Sequence, residues 1–216
     1  VSETRILLCD DHPLVRRAIG DALGDALAGV AIEESGSLAE AMDRIARDPA
    51  LDLILLDLTM PGADGLRGLL HILVAAPTTP VAIVSAAANP DTIHRAMACG
   101  ASGYLPKSLA LHDIVAGVRA ILDGELVRPP DGSAIDDTTD DEAMRLAQLS
   151  PRQYDILMRI VDGRLNKQIA ADLAIGEQTV KIHVSTILRK LQVGSRTQAA
   201  LVAERVLRGG PRAGTD

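Results

Sequence analysis

The chain has 216 residues, 47% hydrophobic and 24% charged, enough to bury a core and too many for one small domain. It contains no run of about 18 uninterrupted apolar residues, which excludes a membrane-spanning helix. It has no Phe or Trp and Tyr only at 104 and 154, which excludes a base-stacking platform for single strands.

The net charge of −7 is unevenly spread: residues 1–123 carry −7, 124–149 carry −5 and 150–216 carry +5. A polyanion partner is therefore expected for the last third. The start, Val1-Ser2-Glu3-Thr4-Arg5, lacks the basic and apolar regions of a secretory signal. Cys9 and Cys99 lie in apolar segments and read as buried free thiols, so a cytoplasmic protein is expected.

In chain order, Arg5–Cys9 is a short apolar run that predicts a buried strand ending at Asp10-Asp11-His12. Pro13 opens a helix whose Leu14, Ala18, Ala22 and Leu23 recur at helical spacing. A weaker strand follows near 30–34. Ser37-Leu38-Ala39-Glu40 reads as a capping box, and Asp48-Pro49 as the stop of that helix. Leu53–Leu56 is a third strand, ending at Asp57. The loop 59–65 leads to a helix over 66–75. Pro80–Ser85 is a fourth strand, a helix spans 90–99, and Gly103-Tyr104-Leu105 is a fifth strand ending at Pro106-Lys107. A helix over 109–123 closes this half.

Five buried strands alternating with helices predict an α/β, doubly wound, five-stranded parallel sheet over 1–123. Residues 124–146, with Pro129-Pro130 and the acidic run 136–142, read as a solvated linker spanning on the order of 25 Å if flexible. Residues 147–209 predict a small all-α unit of four helices, a helix-turn-helix candidate, followed by a tail at 210–216. Its helices start at Ser150-Pro151-Arg152-Gln153, near 167, at 177 and at Ser195-Arg196-Thr197-Gln198. The last stops at Gly209-Gly210-Pro211.

In such sheets ligands bind beyond the carboxyl ends of the strands. Asp10, Asp11, Asp57, Ser85 and Lys107 each follow or end a strand at that edge. Alone, each is more often a cap, a turn former or a solvated lysine. His12 and Asp64 are given no role. Together the carboxylates suit a hard cation, Mg²⁺ above all, and the set describes a phosphoryl-transfer site. Asp57 is the candidate nucleophile, Lys107 the neutralising cation and Ser85 a hydrogen-bond donor.

The text Leu8-Cys9-Asp10-Asp11-His12, Leu56-Asp57-Leu58-Thr59-Met60-Pro61-Gly62, Ser85-Ala86 and Gly103-Tyr104-Leu105-Pro106-Lys107 resembles the receiver domains of two-component response regulators, over about residues 4–123. The resemblance implies a flavodoxin-like receiver with Asp57 phosphorylated by a sensor histidine kinase. It implies Mg²⁺ held by Asp10 or Asp11, Asp57 and the Thr59 carbonyl, and Ser85 with Tyr104 as a switch pair.

On the helix at 177–191, stepping about 100° per residue places Val180, Val184, Ile187 and Leu191 on one stripe. Gln178, Lys181, Ile182, Ser185 and Arg189 lie opposite, and His183 nearer the core. Leu149–Arg152, Asn166–Ala170, Thr179–Val184 and Ile187–Leu191 resemble the DNA-binding domain of the LuxR/NarL/FixJ class, over about 147–208. That implies double-stranded DNA as partner and a homodimer on phosphorylation or DNA binding. Lys181, Ile182 and Ser185 would face bases, and Asn166, Lys167, Thr179 and Arg189 phosphates. The chain departs from the class at Gln153, Leu165 and Gly176, where Glu, Ser and Ser are usual. Two rivals stay open: an aspartyl-phosphate phosphohydrolase, and a DNA binder whose acidic site is only structural.

Overall fold

Apolar runs form the strands that the pattern predicts: Leu53–Leu56, Val81–Ser85 and Gly103–Pro106 are buried along their whole length, whereas Thr4–Cys9 is buried only from Ile6 and Val30–Ser35 is mostly half-buried. The computed structural model describes residues 3–47, 50–87, 89–129 and 137–208, the side chains of 137–140 excepted. The expected stop at Asp48-Pro49, the stretch 130–136, the Gly209-Gly210-Pro211 stop and the tail 210–216 lie outside the described residues. The chain divides into two compact units, Val1–Ile135 and Asp136–Asp216.

In the first unit, β1 (Thr4–Cys9), β2 (Val30–Ser35), β3 (Leu53–Leu56), β4 (Val81–Ser85) and β5 (Gly103–Pro106) pair in parallel in the order β2-β1-β3-β4-β5. Side chains alternate across the sheet, so each strand feeds two cores. Ile6, Leu8, Leu53, Leu55, Ala82, Val84 and Leu105 pack under α1 (Pro13–Ala26) and α5 (Leu111–Leu122), through Ile19, Leu23, Ile114, Val118 and Ile121. Leu7, Ile54, Leu56 and Ile83 are buried on the other face, which α2 (Leu38–Arg47), α3 (Leu66–Ala75) and α4 (Pro90–Ala98) cover. Register aligns Cys9 with Leu56, Leu56 with Ile83, and Ser85 with Pro106, so the residues after β1, β3 and β5 and the end of β4 share one edge.

Side chains cap the starts of α2 and α4. The Ser37 hydroxyl accepts from the Glu40 amide at 3.3 Å, and the Glu40 carboxylate accepts from the Gly36 amide at 2.9 Å. Asn89 caps α4 by accepting from the Thr92 amide at 2.7 Å.

The second unit holds α6 (Asp137–Ala147), α7 (Pro151–Val161), α8 (Asn166–Asp172), α9 (Glu177–Leu191) and α10 (Arg196–Arg208). The capping box at Ser150 and Gln153 forms as read: the Gln153 backbone amide donates to the Ser150 hydroxyl and the Ser150 backbone amide to the Gln153 side-chain Oε1. Tyr154, Ile156, Leu157, Ile169, Val180, Ile187, Leu191, Ala199 and Val206 make the core.

The structure differs from the expected tether at both ends; the four helices expected over 147–209 are α7 to α10, and α6 precedes them. Val127 is paired to the edge of β5 through a parallel bridge with Gly103. From Asp137 the chain is helical, and Ala143, Leu146 and Leu149, spaced by three, are buried in the second unit. The acidic run dominated the reading of a segment whose few apolar residues share one helical stripe.

The loop between β3 and α3 is packed tightly enough to test. A Cβ at Gly68 would stand 2.8 Å from both the Cα and the carbonyl oxygen of Ala63, and the Gly68 amide donates to that oxygen at 2.6 Å. Backbone cannot move aside as a side-chain tip can. Gly68→Ala is expected to destabilise the chain by about 1–3 kcal/mol, read as a lower urea midpoint at unchanged slope.

Candidate functional sites

Asp10 and Asp57 follow β1 and β3 directly and are 1% and 0% exposed. Two buried carboxylates on neighbouring strands need a counter-charge. Lys107, just past β5, supplies it: its Nζ lies 2.6 Å from Asp10 Oδ2 and 2.7 Å from Asp57 Oδ2. The Thr59 amide and hydroxyl donate to Asp57 at 3.1 and 2.8 Å, and the His12 amide to Asp10 Oδ1 at 2.8 Å. Burial works to raise the Asp57 pKa, but the hydrogen bonds from Lys107 and Thr59 outweigh it and hold the carboxyl below its ordinary value. Burial likewise works against the Lys107 charge, and the contacts with Asp10 and Asp57 overcome it, so its pKa is raised.

Ser85 is fully buried at the end of β4, its hydroxyl accepting from the Ala87 amide at 3.3 Å. The Tyr104 phenol is buried and donates to the Ala87 carbonyl. Burial raises its pKa; contact with Ser85 opposes this and the Asp57 charge adds to it. The expected residues Asp10, Asp11, Asp57, Ser85, Tyr104 and Lys107 are thus gathered at one edge. Carboxylate oxygens of Asp10, Asp11 and Asp57 and a nitrogen of His12 all lie within 4.8 Å of one another. A donor set led by three hard carboxylates fits a small divalent cation such as Mg²⁺.

Two participants went unseen in the sequence. His12 joins the cluster, its Nδ1 2.8 Å from Asp11 Oδ1. Arg16, one turn into α1, donates to the Asp10 carbonyl and from its Nε to Glu34 on β2 at 3.0 Å. The Asp-Asp-His adjacency was the only signal for His12. Nothing local signals Arg16, because its partner on β2 is 18 residues away.

In the second unit α9 buries Val180, Ile187 and Leu191 and leaves Gln178, Lys181, Ile182, Ser185 and Arg189 exposed, Ile182 by 59%. Val184 and His183 are half-buried, so the expected core stripe is weaker at Val184. Lys181 pairs with Glu177 at 3.1 Å, and the Ser185 hydroxyl donates to the Lys181 carbonyl at 3.1 Å. Thr179 and Lys167 are exposed. Asn166 is half-buried: Arg196 donates to its Oδ1 at 3.0 Å and also to the Arg164 carbonyl, pinning the turn before α8. Sequence reading took Arg196 only as a helix start. Leu165 and Gly176 give no side-chain cap, as their types require, but the Leu165 amide donates to Gln168 Oε1 at 2.8 Å. Among the described residues no helix is long and apolar enough to cross a membrane.

The two units have known counterparts. The profile of the response regulator receiver domain matches residues 6–119, and that of bacterial regulatory proteins of the luxR family matches 147–203. The chain is 41% identical over 208 residues to the glycerol metabolism activator of Pseudomonas putida, across 92% of this chain and 94% of that one. It is 33% identical over 210 residues to the nitrate/nitrite response regulator protein NarL of Escherichia coli (strain K12), across 91% and 93%. RcsB from Salmonella enterica serovar Typhimurium, solved bound to promoter P1flhDC with phosphomimetic BeF3-, aligns over 95% of this chain and 100% of its own. Its TM-score is 0.57 at 20% identity, which shows a shared fold.

The cluster fixes how stability responds to pH. Asp57 has a lowered pKa, so its contribution is complete above the unfolded value of about 3.9 and is lost as pH falls through the folded one. Lys107 has a raised pKa, so its contribution is complete below about 10.4 and is lost as pH rises through the folded value. Lys107→Met removes the cation from both carboxylates. It is expected to raise the Asp57 pKa and start the acid loss at higher pH, read from carboxyl carbon chemical shifts. An unchanged Asp57 titration would contradict this.

Proposed function

The chain belongs to the two-component response regulators that join a receiver domain to a LuxR-type DNA-binding domain, and on that premise we propose that phosphorylation of Asp57 governs how α9 holds a duplex. The observation that carries the reading is the single pocket in which Lys107 Nζ touches both Asp10 and Asp57. The receiver occupies 1–123 and the DNA-binding domain 147–209, in a cytoplasmic protein.

The hydrogen bonds from Lys107 and Thr59 offset the burial that would otherwise favour a neutral Asp57, and so keep the carboxylate that a nucleophile requires. A carboxylate oxygen forms a bond to the phosphorus of a histidine kinase's phosphohistidine. The N–P bond breaks and its electron pair returns to the imidazole. Lys107 and the Ser85 hydroxyl meet the charge on the phosphoryl oxygens. Asp10, Asp11, Asp57 and the Thr59 carbonyl would hold a Mg²⁺ ion, which when bound would add positive charge beside those oxygens. Water later cleaves the acyl phosphate and resets Asp57. The family is one of DNA-binding regulators, not of turnover enzymes.

The added charge biases a two-state receiver through Ser85 and Tyr104, and the bias favours a homodimer on two half-sites. On α9, Lys181, Ile182 and Ser185 face bases in the major groove. Ile182 suits a thymine methyl, which accounts for an exposed aliphatic side chain among polar ones. Lys167, Thr179, Arg189 and Asn166 contact phosphates, Asn166 while held by Arg196.

Asp57→Ala is expected to abolish labelling by radioactive acetyl phosphate; label surviving on that variant would refute the assignment. Lys167→Ala is expected to weaken binding to every duplex alike and to lower the salt slope of log K by about 1. Ile182→Ala should instead lower preference for the operator at a nearly unchanged salt slope, both read by binding titration across salt concentrations.

A further inference from the structure

An edge strand exposes backbone N–H and C=O groups that a protein has to cover. β5 is such an edge, and the chain covers it with its own continuation. After α5 the backbone turns at Gly124, where φ is +88°, and returns alongside β5. The Tyr104 amide donates to the Val127 carbonyl at 3.0 Å, and the Val127 amide to the Ser102 carbonyl at 3.1 Å. Gly103 between them has no room for a side chain: a Cβ there would meet Ile121 Cδ1 at 2.6 Å and Val127 Cβ at 3.4 Å. The Val127 side chain packs on the core that α5 covers.

The residue held in this way is Tyr104, and its two ends face different business. Its phenol donates to the carbonyl of Ala87, whose own amide donates to the Ser85 hydroxyl. Its backbone carries Val127, at the head of the segment joining the two units. We propose that Val127 is a positioning residue: closing on the Tyr104 backbone, it sets the phenol beside Ser85 and ties charge at Asp57 to the start of the interdomain segment. The inference rests on the reading of Asp57 given above. Coupling between two sites is reciprocal, so whatever moves Tyr104 loosens or tightens Val127, and the converse.

The test is residue-resolved amide hydrogen exchange on the full chain. Tyr104→Ala, with no phosphodonor present, is expected to raise exchange at the Val127 amide on the order of tenfold. Beryllofluoride, used as the probe of the phosphoryl state, is expected to change protection of the Tyr104 and Val127 amides together in the parent chain. Val127→Pro removes one of the two donors and is expected to alter beryllofluoride affinity at Asp57, while Val127→Ile retains the parent value. A Val127 exchange rate unmoved by Tyr104→Ala, or by beryllofluoride that binds Asp57, overturns the proposal. If the Tyr104→Ala response is seen but beryllofluoride does not bind, the Asp57 reading fails and the positioning role stands. Should Val127→Pro not fold, the parent and Tyr104→Ala exchange rates decide alone.

Discussion

One ammonium group makes the first unit's site possible. Asp10 and Asp57 are buried side by side at the ends of adjacent strands, and two such charges repel in a poorly solvated place. Lys107 reaches both from β5, which is separated from β3 by β4. The ion pairs thereby lock three strand ends into one geometry. Buried ion pairs contribute little net stability against an apolar alternative, so their value here lies in what they hold ready. They hold an ionised carboxylate with a cation already beside it, the pre-set arrangement on which the proposed phosphoryl transfer relies.

The second unit uses the opposite strategy. Its working surface is exposed, and its order comes from behind. Val180, Ile187 and Leu191 bury one stripe of α9 in a core of aliphatic residues and Tyr154, and so fix which side chains face outward. Lys190 reinforces this by donating to the Gln148 carbonyl at 2.7 Å and to Gln153 at 2.9 Å. Arg196 does the same for the turn before α8. Of the exposed side chains, Lys181 and Ser185 make contacts only within α9 itself, with Glu177 and with the Lys181 carbonyl.

Much of this was legible residue by residue. Short apolar runs bounded by turn residues marked the strands, and Ser37, Ser150 and Ser195 marked helix starts that all formed their caps. The polar residue at each strand end pointed to a common edge because parallel strands with right-handed crossovers bring their carboxyl ends together. Less was legible where the decisive partner is far along the chain. Arg16 carries no local signal of its role, because its partner Glu34 lies on β2. Val127 looked like part of a tether until β5 presented an uncovered edge. The 136–142 run looked unfolded because acidic residues outnumber the apolar ones that the second unit buries.

The sequence by itself determined the alternation of strands and helices, the two-unit division of charge and the chemical types at the acidic edge. Those follow from periodicity, capping and local composition, which need no distant neighbour. Tertiary structure alone decided that Lys107 spans both carboxylates, that Arg16 and Arg196 brace the two sites, and that Val127 closes β5. Each of these is a contact between segments whose separation along the chain carries no local signal, and it exists only once the sheet order and helix packing have brought them together.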